Sequence, residues 1–122
     1  MPRGQFFNMG DLSKGIQRKL AEGIATSIFV GDTVMVSFVR CEPGAKGNLH
    51  AHAEEQWGVL LEGSGTRTQD GERLAVKKGD FWLTPGGVEH SFEAGAEGAT
   101  VLDIFSPPRA EYRKPGSGFD AG

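Results

Sequence analysis

The chain has 122 residues, enough for one domain with its own core and no disulfide staples. Its 19 glycines are near twice the usual share and lack the collagen period, and a net charge of −3 without a basic block argues against nucleic acid as a partner. No stretch approaches the roughly 20 apolar residues of a membrane span and the first residues hold no apolar signal core, so a cytoplasmic protein off the membrane is expected.

Taken in chain order, residues 1–15 read as an irregular N-terminal arm whose strong apolar pair is Phe6 and Phe7. That pair is expected to pack on a neighbour, in the same chain or in another, and as a candidate for docking on a partner it suggests a homodimer. Residues 16–30 alternate loosely and end in the strand SIFV, and VGD at 30–32 turns the chain. TVMVSFVRC (33–41) is apolar and β-branched, the pattern of a buried strand. Cys41 is the single cysteine and reads as a buried, reduced strand residue. After the loop EPGAKGN, LHAHAEEQWGVLLEG is read as strand with a bend near Glu54 and Glu55. EGSG (62–65) reads as a turn, QDGE (69–72) as a hairpin turn, and AGAEGA (94–99) as a further turn. TVLDIFS (100–106) is the last strand, and the tail that follows shows little regularity. No segment of ten or more residues carries a helical stripe. Eight to ten short strands predict an all-β sandwich or small barrel.

The chain's three histidines, His50, His52 and His90, all fall in two segments framed by glycine and proline. A single histidine in a strand is ordinarily a packed or surface residue. The full set points instead to a metal site. In an extended strand alternate residues share a face, so His50, His52 and Gln56 line one side and Glu55 points away. Imidazole nitrogen and amide oxygen both suit a borderline divalent ion, and His90 would arrive from a second strand. Four such ligands leave room for water or substrate.

The two segments resemble the cupin motifs. The first runs Gly44, His50, His52, Gln56, Gly63, with glutamine where glutamate is usual. The second runs Gly79, Pro85, Gly87, His90, with Ala94 where asparagine is usual. The resemblance spans residues 44–94 and implies a double-stranded β-helix (jelly-roll) barrel over 16–112, between the arm and a tail at 113–122. It also implies a divalent transition metal (Ni, Zn, Mn or Fe) on His50, His52, Gln56 and His90. The missing carboxylate leaves more positive charge on the ion, favours anionic oxygen ligands, and fits poorly with the two-histidine-one-carboxylate oxygenases.

A narrower resemblance lies in LDIFSPPRAEY (102–112), which is similar to the pectin-degradation cupins of the KdgF type. Those proteins convert unsaturated monouronates to linear keto acids. The resemblance implies an enzyme acting on a small anionic substrate, with Asp103 as acid/base, Phe105 shaping the sugar pocket and Arg109 clamping a carboxylate. Parity separates Asp103 and Phe105 from Leu102 and Ile104. By itself it leaves Asp103 either inside a pocket or on a solvated edge, and the direction of the chain after Pro107-Pro108 is open. A non-catalytic binding cupin, or a metal-dependent oxygenase or isomerase on another small acid, are the alternatives.

Overall fold

The computed structural model describes residues 3–118. The remaining ends of the arm and tail, 1–2 and 119–122, lie outside the described residues. The described chain is all-β: β1 (Ile16–Ala21), β2 (Ile24–Val30), β3 (Met35–Cys41), β4 (Glu55–Gln69), β5 (Glu72–Lys77), β6 (Phe81–Thr84), β7 (His90–Ser106) and β8 (Gly116–Ser117). Two short 3₁₀ turns, Arg3–Gln5 and Ala110–Arg113, are the helical elements among these residues. No helix of the described residues is long and apolar enough to cross a membrane.

The strands form one sheet in the order β5-β4-β7-β3-β2-β1-β8, with β6 also on β4. It wraps around a shared interior. Ile28, Met35, Val39, Leu60, Val101 and Phe105, from β2, β3, β4 and β7, belong to one buried cluster. Side chains as enclosed as Ile28, Met35 and Leu60 contribute about 1.5–3 kcal/mol each by leaving water. β3 alternates cleanly, burying Met35, Ser37, Val39 and Cys41. Residues 16–30 are two strands rather than one, because Glu22 and Gly23 turn the chain between β1 and β2. Asp70 and Gly71, at φ 50° and 80°, form the expected hairpin turn between β4 and β5.

Two expected turns are not turns. EGSG lies within β4 and AGAEGA within β7, and these two long strands pair along most of their length. The register slips between Leu60 and Glu62 and again between Gly63 and Gly65, while residues 95–98 bow out of β7. Glycine is required at this corner. Gly63 and Gly98 have φ of +84° and +78°, and a Cβ on Gly63 would collide with the Gly98 carbonyl oxygen. The physical result is a change of phase. Gln56, Gly58 and Leu60 are buried before the corner, but Arg67 is the buried residue after it. On β7, His90 and Ala94 are buried before the bulge, and Ala99, Val101 and Phe105 after it.

The tail is also more ordered than its sequence suggests. The chain leaves β7 through a cis Ser106–Pro107 bond, buries Arg109 and Tyr112, and ends as β8 in parallel with Arg18 and Lys19 of β1. Arg18 fastens this return. Its Nε donates to the Gly118 carbonyl at 2.8 Å, Nη1 to that of Glu111 at 3.0 Å, and Nη2 to that of Ser117 at 3.0 Å. In the arm, Phe7 packs on Phe29 with ring centroids 4.6 Å apart, while Phe6 remains 64% exposed.

Candidate metal centre and anion cavity

His50 and His52 do not sit on a strand. The segment 42–54 crosses the mouth of the barrel as a loop and is tied to β7 by backbone bonds. Gly47 N–H donates to Phe92 O at 2.9 Å, and His50 and His90 exchange two bonds of 3.1 and 2.9 Å. That bridge sets His50 and His90 side by side, with ring centroids 4.5 Å apart. The expected bend falls at Ala53–Glu54, and beyond it β4 turns Gln56 inward and Glu55 outward. So the shared face that strand parity predicts for His50, His52 and Gln56 arises differently, from a loop docked on β7.

One ring nitrogen from each of His50, His52 and His90 lies within 4.8 Å of the others. In all three, Nδ1 faces a backbone carbonyl two residues away: Asn48 O at 2.8 Å, Glu54 O at 3.1 Å and Val88 O at 2.9 Å. A carbonyl can only accept, so in His50 and His90 Nδ1 carries the proton and Nε2 presents a lone pair. Burial lowers the pKa of all three, with His90 falling to about 3, so they stay neutral near pH 7. His90 Nε2 is buried without a hydrogen-bond partner among the described residues.

His52 Nε2 stands 2.9 Å from Gln56 Oε1. The Gln56 amide also hydrogen-bonds Asp103, and a carboxylate requires the NH₂ end. A neutral His52 therefore has one proton for two acceptors, Glu54 O at Nδ1 and Gln56 Oε1 at Nε2. A cation held by Nε2 and Oε1 would satisfy both of these atoms and leave the proton on Nδ1. The donor set fits a borderline divalent metal on His50, His52, His90 and Gln56.

Beside these groups lies a cavity of about 40 Å³ lined by Gln56, Arg67, His90, Asp103, Phe105 and Arg109, among others. Asp103 faces inward, so its solvated-edge alternative is not what the fold adopts. Burial raises its pKa to about 6, against the pull of Arg67, the Gln56 hydrogen bond and Arg109. Phe105 meets the His52 ring edge-on at 5.5 Å. The chain beyond Pro108 turns back toward the barrel. Arg109 is 1% exposed, and its guanidinium lies 4.3 Å from the Tyr112 ring centroid and 5.7 Å from that of Phe105. Tyr112 is held protonated, its pKa raised by burial to about 12. Cys41 also lines the cavity, with burial raising its thiol to about 12, which makes it a packed thiol and not a nucleophile at neutral pH.

Sequence reasoning misses three residues of this cavity: Arg67, Trp82 and Tyr112. Arg67 is 5% exposed, with Nη2 donating to Thr84 Oγ1 at 2.8 Å and the guanidinium 5.6 Å from the Trp82 ring centroid. The phase change at Gly63 hides it from parity. Tyr112 lies after a turn whose course is set by Arg18 from the far end of the chain. For Trp82 the signal is a large aromatic facing Gly58 across β6 and β4.

Residues 37–105 match the cupin domain family. The pectin degradation protein KdgF of Dickeya dadantii is 30% identical over 103 residues, covering 84% of this chain and 87% of that protein. The oxalate decarboxylase OxdC of Bacillus subtilis is 38% identical over 72 residues, which is 55% of this chain and only 19% of OxdC. KdgF from Halomonas sp. has the same fold, with a TM-score of 0.78 and 26% identity over 88% of this chain and 97% of that one.

Proposed function

This chain belongs to the cupin family, and from that premise we propose that it is a metal-dependent enzyme that opens the ring of unsaturated monouronates to give linear keto acids. The observation that carries the reading is the placing of Asp103 in one cavity with the candidate ligands Gln56 and His90. It joins an inward carboxylate, titrating near the range useful for proton transfer, to the candidate ligand set. The likeness to two pectin-degradation proteins supports the substrate class.

His50, His52, Gln56 and His90 would hold a divalent transition metal (Ni, Zn, Mn or Fe), which when bound supplies Lewis-acid stabilisation of negative oxygen. Arg109 holds the substrate carboxylate by its planar fork. Phe105 packs against the sugar ring and fixes its depth. Asp103 takes the proton of the anomeric hydroxyl. The anomeric carbon then forms its C=O bond as its bond to the ring oxygen breaks. The enolate left on the other side accepts a proton at the alkene carbon remote from the carboxylate, and Asp103 can return the one it took. Atoms balance, and the reaction is an isomerisation.

The test is the loss of enol-ether absorbance of a pectin- or alginate-derived unsaturated monouronate with metal-replete protein. Faster decay than the spontaneous reaction is expected. Arg109→Ala should chiefly raise KM, by roughly 10–100-fold, if the clamp serves ground and transition states alike. Failure to beat spontaneous decay would overturn the reading. Oxygen uptake with a small acid would then favour an oxygenase, and ligand retention without turnover a binding protein. We also propose a homodimer through the exposed Phe6 and Phe7. Light scattering at micromolar concentration giving a mass near 13.0 kDa would exclude it.

A further inference from the structure

Trp82, which lines the cavity, has no part in the reaction described above. Trp82, Gly58 and Asp103 form a single row across β6, β4 and β7, each in register with the next. Trp82 and Asp103 both line the cavity. Gly58 lies between them without a side chain. A Cβ there would run into Trp82 Nε1 and stand 2.5 Å from Cε2. The indole therefore lies across Gly58 in the direction of Asp103. Its Nε1–H is buried and has no hydrogen-bond partner among the described residues. Buried indole N–H groups usually have one.

The ring is also fixed. Phe92 stacks on it at 6.3 Å with an interplanar angle of 15°, and the Arg67 guanidinium lies 5.6 Å from its centroid. Arg67 is itself held by Thr84 Oγ1 and, at 3.4 Å, by Gln69 Oε1. The result is a rigid neutral donor beside a carboxylate, with no hydrogen-bond partner for it among the described residues. Of the common oxygen groups, a hydroxyl can accept from Trp82 and donate to Asp103 at once. A carboxylate cannot donate, and it would meet the charge of Asp103.

We propose that Trp82 Nε1–H and Asp103 bracket one hydroxyl of the ligand, which makes Trp82 a specificity-determining residue for hydroxylated acids over acids without hydroxyls. The proposal rests on the function above for the ligand's orientation, with its carboxylate at Arg109. In that orientation the bracketed group is the anomeric hydroxyl that Asp103 deprotonates. Gly58 is then the clearance that lets the indole reach it, and Arg67 and Phe92 are the residues that position the indole.

The test uses two probes that cannot become keto acids: galacturonate, a hydroxylated uronate without the alkene, whose ring opening only interconverts its anomers, and tetrahydropyran-2-carboxylate, the same ring and carboxylate without hydroxyls. Calorimetry on metal-loaded protein should show Trp82→Phe, which keeps the stacked ring and loses the N–H, weakening galacturonate about 5–20-fold and leaving the other acid unchanged. Equal loss of both probes marks a structural role and overturns the proposal. So does unchanged galacturonate binding, or no galacturonate binding by the wild type. Trp57→Phe gives a second measurement that leaves Trp82 intact. Trp57 is 41% exposed on the outer face, and its removal leaves Trp82 as the chain's one tryptophan. Galacturonate should shift the emission of that variant and tetrahydropyran-2-carboxylate should not. An emission indifferent to galacturonate overturns the proposal. Neither probe yields a keto acid, so a protein that passes these tests yet fails to accelerate unsaturated uronate decay loses the ring-opening reading and keeps the Trp82 site.

Discussion

The two flanks of the cavity are built by different means. On the histidine flank, every imidazole is oriented by a carbonyl two residues away in its own segment. On the opposite flank, Arg109 and Tyr112 follow β7, and the carbonyls of Glu111, Ser117 and Gly118 are gathered by Arg18 from the first strand. Tyr112 lies between the two guanidiniums, 5.3 Å from Arg18 and 4.3 Å from Arg109. Each imidazole of the first flank is oriented within its own segment, although the His50–His90 bridge joins two segments, and the second flank exists only once the chain ends have met. Damage to the tail should therefore spare metal binding, and damage to the ligands should spare the tail.

The largest expected effect separates the flanks from the histidine side. His52→Ala should lose most of the near one equivalent of divalent metal seen in wild-type protein purified without chelator. The loss in affinity should exceed the roughly 10–100-fold cost of altering a ligand's hydrogen-bond partner. Elemental analysis reads this directly, and equal metal in both proteins would remove the ligand assignment.

Asp103→Asn comes next and acts at the meeting of the two flanks. It should keep metal and fold while lowering turnover roughly 10²–10⁴-fold. It should also stabilise the protein at pH 7. The folded carboxyl titrates near 6, above its ordinary 3.8, because burial disfavours its charge. The native state holds that proton more tightly than the unfolded chain, so this group's contribution falls as pH rises from about 4 to 6. Asparagine carries no such charge. Full activity in the variant would leave the reaction without its assigned acid/base.

A smaller effect probes the tail. Arg18→Met should lower stability by about 2–4 kcal/mol, since four backbone carbonyls lose a charged donor. It should raise KM for the anionic substrate about tenfold by loosening Arg109. Metal content should not change, and a parallel loss of metal would show that the flanks are coupled.

The smallest effect is in the pH dependence of the metal-free protein. The three histidines have folded pKa values below the ordinary 6.5. The unfolded chain thus binds more protons below about pH 6.5, and stability is lost as pH falls. Asp103 works in the opposite direction over a narrower range. Three groups against one predict a melting temperature that declines from pH 7 to 5, and declines more steeply in Asp103→Asn. A melting temperature that rises on acidification would contradict the neutral assignment of the histidines.

What the sequence by itself determined follows from local chemistry. Strand-forming runs, the Asp70-Gly71 hairpin and the shared parity of Asp103 and Phe105 can be read from residue types and spacing, while parity alone leaves open whether that face turns inward. The grouping of His50, His52, Gln56 and His90 can be read the same way, although a docked loop and not a strand presents the first two. The tertiary structure decided the rest. Gly63 and Gly98 look like turn residues, yet strands β4 and β7 pass through them because each strand supplies the other's hydrogen bonds. The slip at that corner reverses which residues face inward, and this placed Arg67 in the cavity against its apparent parity. Arg109 and Tyr112 were placed by Arg18, some 90 residues away in sequence. No local pattern encodes that distance, because the bonds that close it form between chain ends that meet only in the folded barrel.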